Sequence, residues 1–171
     1  MTALVFVDTN VLVYARDARD AAKNAAARAW MTSLWAERTG RTSTQVLSEY
    51  YLTLTRKLRP AVDAEEAWAD IRRLRAWNPQ AIDMEVLAEA RELQRRYRLG
   101  WWDCVVAASA VRQSCAILLS EDFQDGMNLG PVKVLNPFTH PVSEPATLYT
   151  AQVRPRPVHR GRGRPRNSAA A

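Results

Sequence analysis

The stretch LVFVDTNVLVYARD, residues 4–17, decides the fold of this chain. Its first four residues are all apolar, which predicts a short strand over Leu4–Val7 that is buried on both faces. An aspartate follows at position 8, and Val11–Tyr14 open a helical stretch directly after it. A buried strand that leads straight into a helix is the repeating unit of a parallel α/β sheet.

The rest of the chain repeats this alternation of strand and helix. Further strands are predicted at Arg41–Ser43, Ala116–Ser120 and Val132–Leu135. Pro60 and Gly100 are predicted to end two of the intervening helices. The predicted helices cover Asp20–Trp35, Gln45–Leu58, Ala64–Trp77, Asp83–Arg98 and Trp101–Gln113. The sequence therefore predicts an α/β fold with a parallel sheet covered by helices on both faces, in which ligands bind beyond the carboxyl ends of the strands.

Length and composition indicate one globular domain. The chain has 171 residues, of which 47% are hydrophobic and 25% are charged. No run approaches the roughly 18–20 apolar residues that cross a bilayer, and the N-terminus lacks the basic region of a signal peptide, so we expect a cytoplasmic protein without a membrane partner. Cys104 and Cys115 lie in one apolar stretch and match no metal-ligand spacing, which predicts reduced, buried side chains.

The positive charge of the chain is concentrated at its C-terminal end. Residues 139–171 contain six arginines, one glutamate and five of the nine prolines, whereas the remaining 138 residues carry 18 basic and 17 acidic side chains. This composition predicts a folded domain over 1–138 and a disordered tail over 139–171. Within the tail, GRGRPR (161–166) resembles the short AT-hook that enters the minor groove of DNA, although such a segment more often makes weak, non-specific contacts with DNA or RNA.

The histidine count narrows the chemistry. The two histidines, His140 and His159, both fall in the predicted tail. A Ser-His-Asp or Cys-His centre is therefore hard to build, and so is a histidine-based ribonuclease. A hydrolase with this sequence has to work with carboxylates, which usually act through a hard metal ion.

Two aspartates follow directly on predicted strands. Asp8 ends VFVD and Asp122 follows AILLSE, and both are thus expected at the edge of the sheet where ligands bind. Asp8 could instead only cap the next helix, and an acidic turn that includes Glu121 and Asp125 could account for Asp122.

Two further acids lie on predicted helices. Asp103 begins a helix that is otherwise apolar, where a carboxylate interacts favourably with the helix dipole. Glu49 lies one turn from Gln45 on the same helix face, and taken alone it would be a solvated surface residue. Acids that converge on one cleft repel each other, and a divalent cation such as Mg²⁺ removes that conflict while it activates water against a phosphodiester.

Taken in order, these segments resemble a PIN domain, and they are most similar to the VapC-type toxins of type II toxin–antitoxin pairs. The resemblance extends from Leu4 to Phe138 and rests on VFVDTNVLVYARD (5–17), STQVLSEYY (43–51), GWWDCVVAASA (100–110), LLSEDFQDG (118–126) and VLNPF (134–138). It implies a three-layer sandwich in which helices cover both faces of a parallel sheet of four to five strands. It also implies a Mg²⁺-dependent endoribonuclease that cleaves RNA, forms a homodimer and is inhibited by a cognate antitoxin.

The resemblance assigns roles only to positions that match the family pattern. Asn10 matches a polar residue that orients the first acid, and Ser120 matches a hydroxyl residue two places before the last acid. Asp125 is either an additional ligand or a turn residue, and we favour the turn. The acids that match the cluster holding one or two Mg²⁺ or Mn²⁺ ions are Asp8, Glu49, Asp103 and Asp122.

Two other functions are compatible with parts of the sequence. A Mg²⁺-dependent phosphohydrolase would use Asp8 as its nucleophile, but such enzymes usually carry a second acid where this chain has Asn10. A non-catalytic nucleic-acid-binding protein would act through the AT-hook-like tail, and it would leave the four acids without a role. Removal of the tail distinguishes a nuclease from such a binding protein, since a nuclease keeps metal-dependent cleavage without the tail, whereas the binding protein loses its function.

Overall fold

The structure is a computed structural model that describes residues 3–142. The strands are β1 (Val5–Val7), β2 (Gly40–Arg41), β3 (Ile117–Leu119), β4 (Asn128–Leu129) and β5 (Val132–Leu135). The helices are α1 (Thr9–Arg16), α2 (Ala21–Glu37), α3 (Thr44–Leu52), α4 (Ala64–Leu74), α5 (Met84–Tyr97) and α6 (Trp101–Arg112). A π-helical turn over Thr53–Lys57 continues α3, and a 3₁₀ turn over Arg75–Trp77 continues α4.

The five strands form one sheet in the order β2-β1-β3-β5-β4. The first four of these are parallel, with Val5 opposite both Gly40 and Ile117, and only the two-residue β4 runs antiparallel, along β5. The predicted α/β class with a largely parallel sheet is therefore confirmed. The short β4 was not predicted, because two residues next to a glycine turn carry no hydrophobic pattern.

The strand order places a topological switch point between β1 and β3. From β1 the chain moves outward to β2, and from β2 it returns across β1 to β3. Crossover connections are right-handed, so these opposite moves put the two sets of helices on opposite faces of the sheet. The carboxyl ends of β1 and β3 flank the crevice in which open α/β sheets bind ligands.

Side-chain caps begin five of the six helices. An oxygen of each capping side chain accepts a backbone N–H of the first helical turn, which satisfies a donor that has no partner within the helix. The capping residues are Asp8, Asp20, Ser43, Asp63 and Asp83.

Two helices end at the predicted positions but in a way that was not predicted. The helix predicted over Gln45–Leu58 is α-helical only to Leu52, and then widens into the π-helical turn in which the Leu58 N–H donates to the Thr53 carbonyl. Helix α5 ends at Tyr97, and its C-cap Arg98 adopts the left-handed conformation at φ 57°. Gly100 instead precedes α6 as its N-cap.

The core is one apolar cluster formed by the buried strands and by the inner faces of the helices. Cys104 and Cys115 lie within it as free, buried thiols, as predicted, and burial raises the pKa of both, that of Cys115 to about 12. Within residues 3–142, no helix combines the length and the apolar character that a membrane span requires.

The residues just beyond the predicted domain boundary contact the body. The Trp30 indole N–H donates to the His140 carbonyl at 3.1 Å, and Val142 packs against the core. Residues on both sides of the predicted boundary at 138 thus contact the body of the domain. The remainder of the predicted tail, with His159, lies outside the described residues.

Candidate active site

Asp8 lies at the carboxyl end of β1 and is buried, with 6% of its surface exposed. Its Oδ1 accepts the Thr9 backbone N–H at 2.7 Å, and its Oδ2 accepts the Ser120 hydroxyl at 2.7 Å. Burial raises the pKa of Asp8 to about 6, although the hydrogen bonds from Ser120 and Thr9 act in the opposite direction. Asp8 is therefore both the cap of α1 and a carboxylate that faces the crevice.

Asn10 links the ends of the two central strands. Its Nδ2 lies 3.3 Å from Asp8 Oδ2, 2.9 Å from Asp122 Oδ2 and 3.1 Å from the Ser120 hydroxyl. The Ser120 hydroxyl also accepts the backbone N–H of Asp122 at 3.1 Å. Asn10 and Ser120 thus hold the carboxylates of Asp8 and Asp122 on the same side of the crevice.

Glu49 reaches the crevice from α3, although it is exposed. The Thr9 hydroxyl donates to Glu49 Oε2 at 3.0 Å, and the Gln45 amide donates to Oε1 at 3.0 Å. Because Thr9 binds Asp8 through its backbone and Glu49 through its side chain, it connects the two acids. The surface role that Glu49 would have if taken alone does not explain this orientation.

Asp103 lies in the first turn of α6, exposed, and its Oδ2 lies about 3.0 Å from the point that a Cβ on Gly100 would occupy. Partial burial raises the pKa of Asp103, and the negative charges of Asp122 and Glu49 raise it further. The same two charges also raise the pKa of Asp8. The four acids predicted from the sequence therefore share one electrostatic environment.

The donor set of this cluster suits a hard divalent cation. All four acids offer oxygen ligands, which Mg²⁺ prefers, and the buried Asn10 Oδ1 has no hydrogen-bond partner among the described residues. As the side chains stand, no three acidic, histidine or cysteine groups of residues 3–142 are close enough to hold one ion together. Mg²⁺ commonly binds through one or two carboxylates and retains several waters, so Asp8 and Asp122 are the first candidates as ligands.

Lys23 is a part of the site that the sequence did not reveal. Its ammonium lies 2.5 Å from Glu121 Oε2 and 3.1 Å from the Tyr14 hydroxyl, and it also lies over the rings of Tyr14 and Phe138. The hydrogen bond to Glu121, followed by that to Tyr14, raises the pKa of Lys23. Lys23 therefore neutralises the acid next to Asp122. Only packing of α2 against the loop after β3 brings them together, 98 residues apart in sequence.

Asp125 faces away from the acid cluster. Its Oδ1 accepts the Asn136 backbone N–H at 2.9 Å, and its Oδ2 lies 2.8 Å from His140 Nε2. Burial acts in the opposite direction, but the hydrogen bonds from Asn136 and His140 lower the pKa of Asp125. These contacts favour the predicted turn role over that of a metal ligand.

A cleft extends from the acid cluster along α3 and its π-helical turn. Both acidic and basic side chains line it, and Asn10, Tyr14 and Thr53 contribute to its walls. The charged residues that line the cleft are Asp17, Arg19, Glu49, Lys57, Glu121 and Asp122. A ligand at the cluster can therefore extend past both negative and positive side chains.

Fold and site together define a class of α/β protein that has an acidic cluster at the switch point of its sheet. The PIN domain family model matches residues 5–124, and the chain belongs to this family. The match includes all four acids. No curated protein matches the sequence as a relative.

Solved structures with the same fold include components of toxin–antitoxin systems. The structure of FitAB bound to an IR36 DNA fragment matches with a TM-score of 0.62 and 21% identity, over 79% of this chain and 96% of the matched chain. A toxin–antitoxin complex from Klebsiella pneumoniae matches with a TM-score of 0.58 and 17% identity, over 78% and 97%. VapC20 of Mycobacterium tuberculosis, a toxin that cleaves the sarcin-ricin loop, matches with a TM-score of 0.53 and 24% identity, over 69% and 91%.

Proposed function

We propose that this protein is a Mg²⁺-dependent endoribonuclease that cleaves RNA phosphodiester bonds as the toxin of a type II toxin–antitoxin pair. The observation that carries the proposal is the link from Asp8 through Asn10 and Ser120 to Asp122, next to Glu49 and Asp103. Membership of the PIN domain family and the fold shared with VapC20, a toxin that cleaves the sarcin-ricin loop, support it.

Several side chains are positioned to bind the cation next to the scissile phosphate. Asp8 and Asp122 would hold Mg²⁺, or Mn²⁺, and Glu49 and Asp103 would bind its water molecules. The bound ion would supply an activated water and would stabilise negative charge on the phosphate oxygens. Ser120 and the Thr9 N–H fix the orientation of the Asp8 carboxylate, and Gln45 and the Thr9 hydroxyl fix that of Glu49. Such fixed orientations reduce the reorganisation that catalysis requires.

The contacts of Asp8 argue against the phosphohydrolase alternative. A nucleophilic carboxylate needs an oxygen that can approach phosphorus, but Asp8 is 94% buried and both of its oxygens accept hydrogen bonds. Asn10 stands where such enzymes usually carry their second acid, and it donates to Asp8 without any acid function of its own. This geometry supports a role for Asp8 in metal binding.

Helix α3 carries an exposed apolar surface on which a protein partner could bind. Two grooves meet along this helix, one lined by Tyr51 and Trp68 and the other by Ile82 and Trp102, and exposed Leu52 lies between them. Contiguous exposed apolar area of this kind marks contacts with other proteins. It supports the proposed antitoxin and homodimer contacts, as does the toxin–antitoxin complex with the same fold.

Replacement of Asp8 by Asn tests the proposed function. The variant should keep its fold but lose Mg²⁺-dependent cleavage by at least about 100-fold, because the shape of the side chain is retained while its charge is removed. Cleavage of an end-labelled RNA would be followed with Mg²⁺ and with a chelator, and circular dichroism would check the fold.

The matched control is Asp125→Asn, which removes a carboxylate from the same loop as Asp122 but from the side that faces Asn136 and His140. This variant should retain cleavage. Full activity of a folded Asp8→Asn protein would overturn the assigned site, and cleavage by the wild-type protein in chelator would overturn the metal dependence.

A further inference from the structure

The cleft next to the acid cluster poses an electrostatic problem for an RNA substrate. Four acids, Asp17, Glu49, Glu121 and Asp122, line it, and RNA is a polyanion. Like charges in one cleft repel, so the strand needs a cation close to the cluster to be held there. Two basic side chains, Arg19 and Lys57, line the same cleft.

Arg19 is already bound within the protein. Its guanidinium donates to both carboxylate oxygens of Asp17, at 2.9 Å from Nε to Oδ1 and 2.6 Å from Nη2 to Oδ2. Lys23, behind the cleft, is likewise paired with Glu121. The charge of each of these two cations is therefore already balanced by a carboxylate of the protein.

Lys57 differs from both. It is exposed, and its ammonium has no hydrogen bond, ion pair or ring contact with any residue of 3–142. Lys57 thus lines the cleft with a positive charge that no carboxylate of the described residues binds. The hydroxyl of Thr53, which lines the same wall, donates no hydrogen bond within the described part of the chain.

The helix places Lys57 in line with the acid cluster. Glu49, Thr53 and Lys57 are spaced four residues apart along α3 and its π-helical turn, and all three line the cleft. Eight residues of helix separate Glu49 from Lys57 by roughly 12 Å along the axis. A strand whose scissile phosphate lies at the cluster can therefore bring a phosphate one or two nucleotides away to Lys57.

We propose that Lys57, assisted by the Thr53 hydroxyl, forms a second phosphate site that holds the RNA backbone next to the nucleotide that is cleaved. This inference rests on the proposed ribonuclease function. A lysine binds phosphate as a point charge, and contacts with the backbone position a strand without reading its sequence. The site accordingly contributes to RNA affinity and register, and it does not touch the reacting atoms.

Lys57→Gln tests this site, with Arg56→Gln as the matched control. Arg56 is exposed on the same turn and carries the same charge, but it does not line the cleft. Binding of a fluorescent single-stranded RNA to the full chain would be measured by anisotropy in chelator, from about 50 mM to 1 M salt, and single-turnover cleavage would be measured with Mg²⁺.

In the Lys57→Gln variant the slope of log K, the association constant for RNA, against log salt should be less steep by about 0.7. This is the value for one phosphate contact on a single strand. Over a twentyfold salt range this corresponds to about eightfold weaker binding at the low-salt end. Lys57→Arg should restore the slope, Arg56→Gln should leave it unchanged, and the RNA concentration needed for half-maximal cleavage should rise with Lys57→Gln but not with Arg56→Gln.

Two outcomes separate this site from the proposed function. Equal slopes for Lys57→Gln and Arg56→Gln would overturn the phosphate site, even if the wild-type protein cleaves RNA with Mg²⁺. Suppose instead that the salt dependence becomes less steep in Lys57→Gln but not in Arg56→Gln, while the wild-type protein cleaves no RNA. This result would support a nucleic-acid site at Lys57 and overturn the ribonuclease function.

Discussion

Asp8 shows how one side chain can serve structure and chemistry at once. Capping and ligand roles are often treated as alternatives, but the two oxygens of Asp8 divide the tasks: Oδ1 accepts the Thr9 N–H that begins α1, and Oδ2 lies with Ser120 and Asn10 at the crevice. The consequence is a carboxylate that is buried among other acids, so its ionised form is disfavoured in the metal-free protein.

This burial predicts how stability depends on pH in the absence of metal. The pKa of Asp8 rises from the ordinary 3.8 to about 6 on folding, chiefly because the side chain is buried. A raised pKa means that the folded state binds the proton more tightly. The stabilisation of the folded state by the proton on Asp8 is therefore complete below about pH 4 and is lost as pH rises through about 6. Asp8→Asn does not titrate, so its free energy of unfolding should rise relative to wild type between pH 4 and 7, by up to about 3 kcal/mol.

Denaturant unfolding of both proteins in chelator, at several pH values from 4 to 8, checks this prediction. Asp125→Asn serves as a control of opposite sign, since hydrogen bonds lower the pKa of Asp125. That variant should lose stability relative to wild type as pH rises. A stability difference between Asp8→Asn and wild type that does not vary with pH would contradict the assigned environment of Asp8.

Three of the four acids have a local signal in the sequence, whereas Glu49 was assigned only through the resemblance to the family. Asp8 and Asp122 follow strands, and Asp103 begins a helix. The groups that orient and neutralise them depend on tertiary packing. The Thr9 hydroxyl meets Glu49 only because α1 packs against α3, and no pattern along the chain connects Lys23 with Glu121.

At the scale of elements, β2 shows what a short edge strand requires. It has only two residues, and one of them, Gly40, lies against the indole of Trp77. A brief strand was predicted here, but at Arg41–Ser43, so that it shares only Arg41 with β2. The strand forms at Gly40 because only a residue without a side chain allows β2 to pair with β1 beneath Trp77.

Gly40→Ala should therefore destabilise the protein. An added Cβ would lie 2.4 Å from Trp77 Cε2, and Trp77 is itself buried and packed against Trp35 at a ring distance of 5.1 Å. Overpacking of this kind costs about 1–3 kcal/mol, which corresponds to a fall in Tm of roughly 3–10 °C for a chain of this size. Thermal unfolding of the variant checks the value.

A double-mutant cycle with Trp77→Phe separates the steric clash from a general loss of strand propensity. The smaller ring should accommodate the new methyl group, so the double variant should be more stable than the sum of the single effects by at least about 1 kcal/mol. Additive effects would show that the clash with Trp77 is not the cause.

At the scale of the whole molecule, charge is divided between two parts of the chain. The residues up to 138 carry almost no net charge, while six arginines fall between positions 154 and 166. All the acids of the proposed site lie at or before Asp122, in the part of the chain that the PIN family model matches. Affinity for nucleic acid and cleavage chemistry can thus reside in different parts of the molecule.

Truncation after Val142 should weaken RNA binding but preserve the chemical step. This end point keeps the contacts that His140 and Val142 make with the body, which truncation after Phe138 would remove. Loss of six arginines should lower the slope of log K against log salt by at most about 4, at about 0.7 per contact on single strands. A full-length variant with the six arginines changed to glutamine should match the truncated protein if charge alone is responsible.

Single-turnover cleavage at saturating RNA should differ less than about twofold between truncated and full-length protein, because the four acids and their hydrogen-bond partners remain in place. A truncated protein that binds saturating RNA yet cleaves it far more slowly would show that the tail takes part in catalysis, and the division between affinity and chemistry would be wrong.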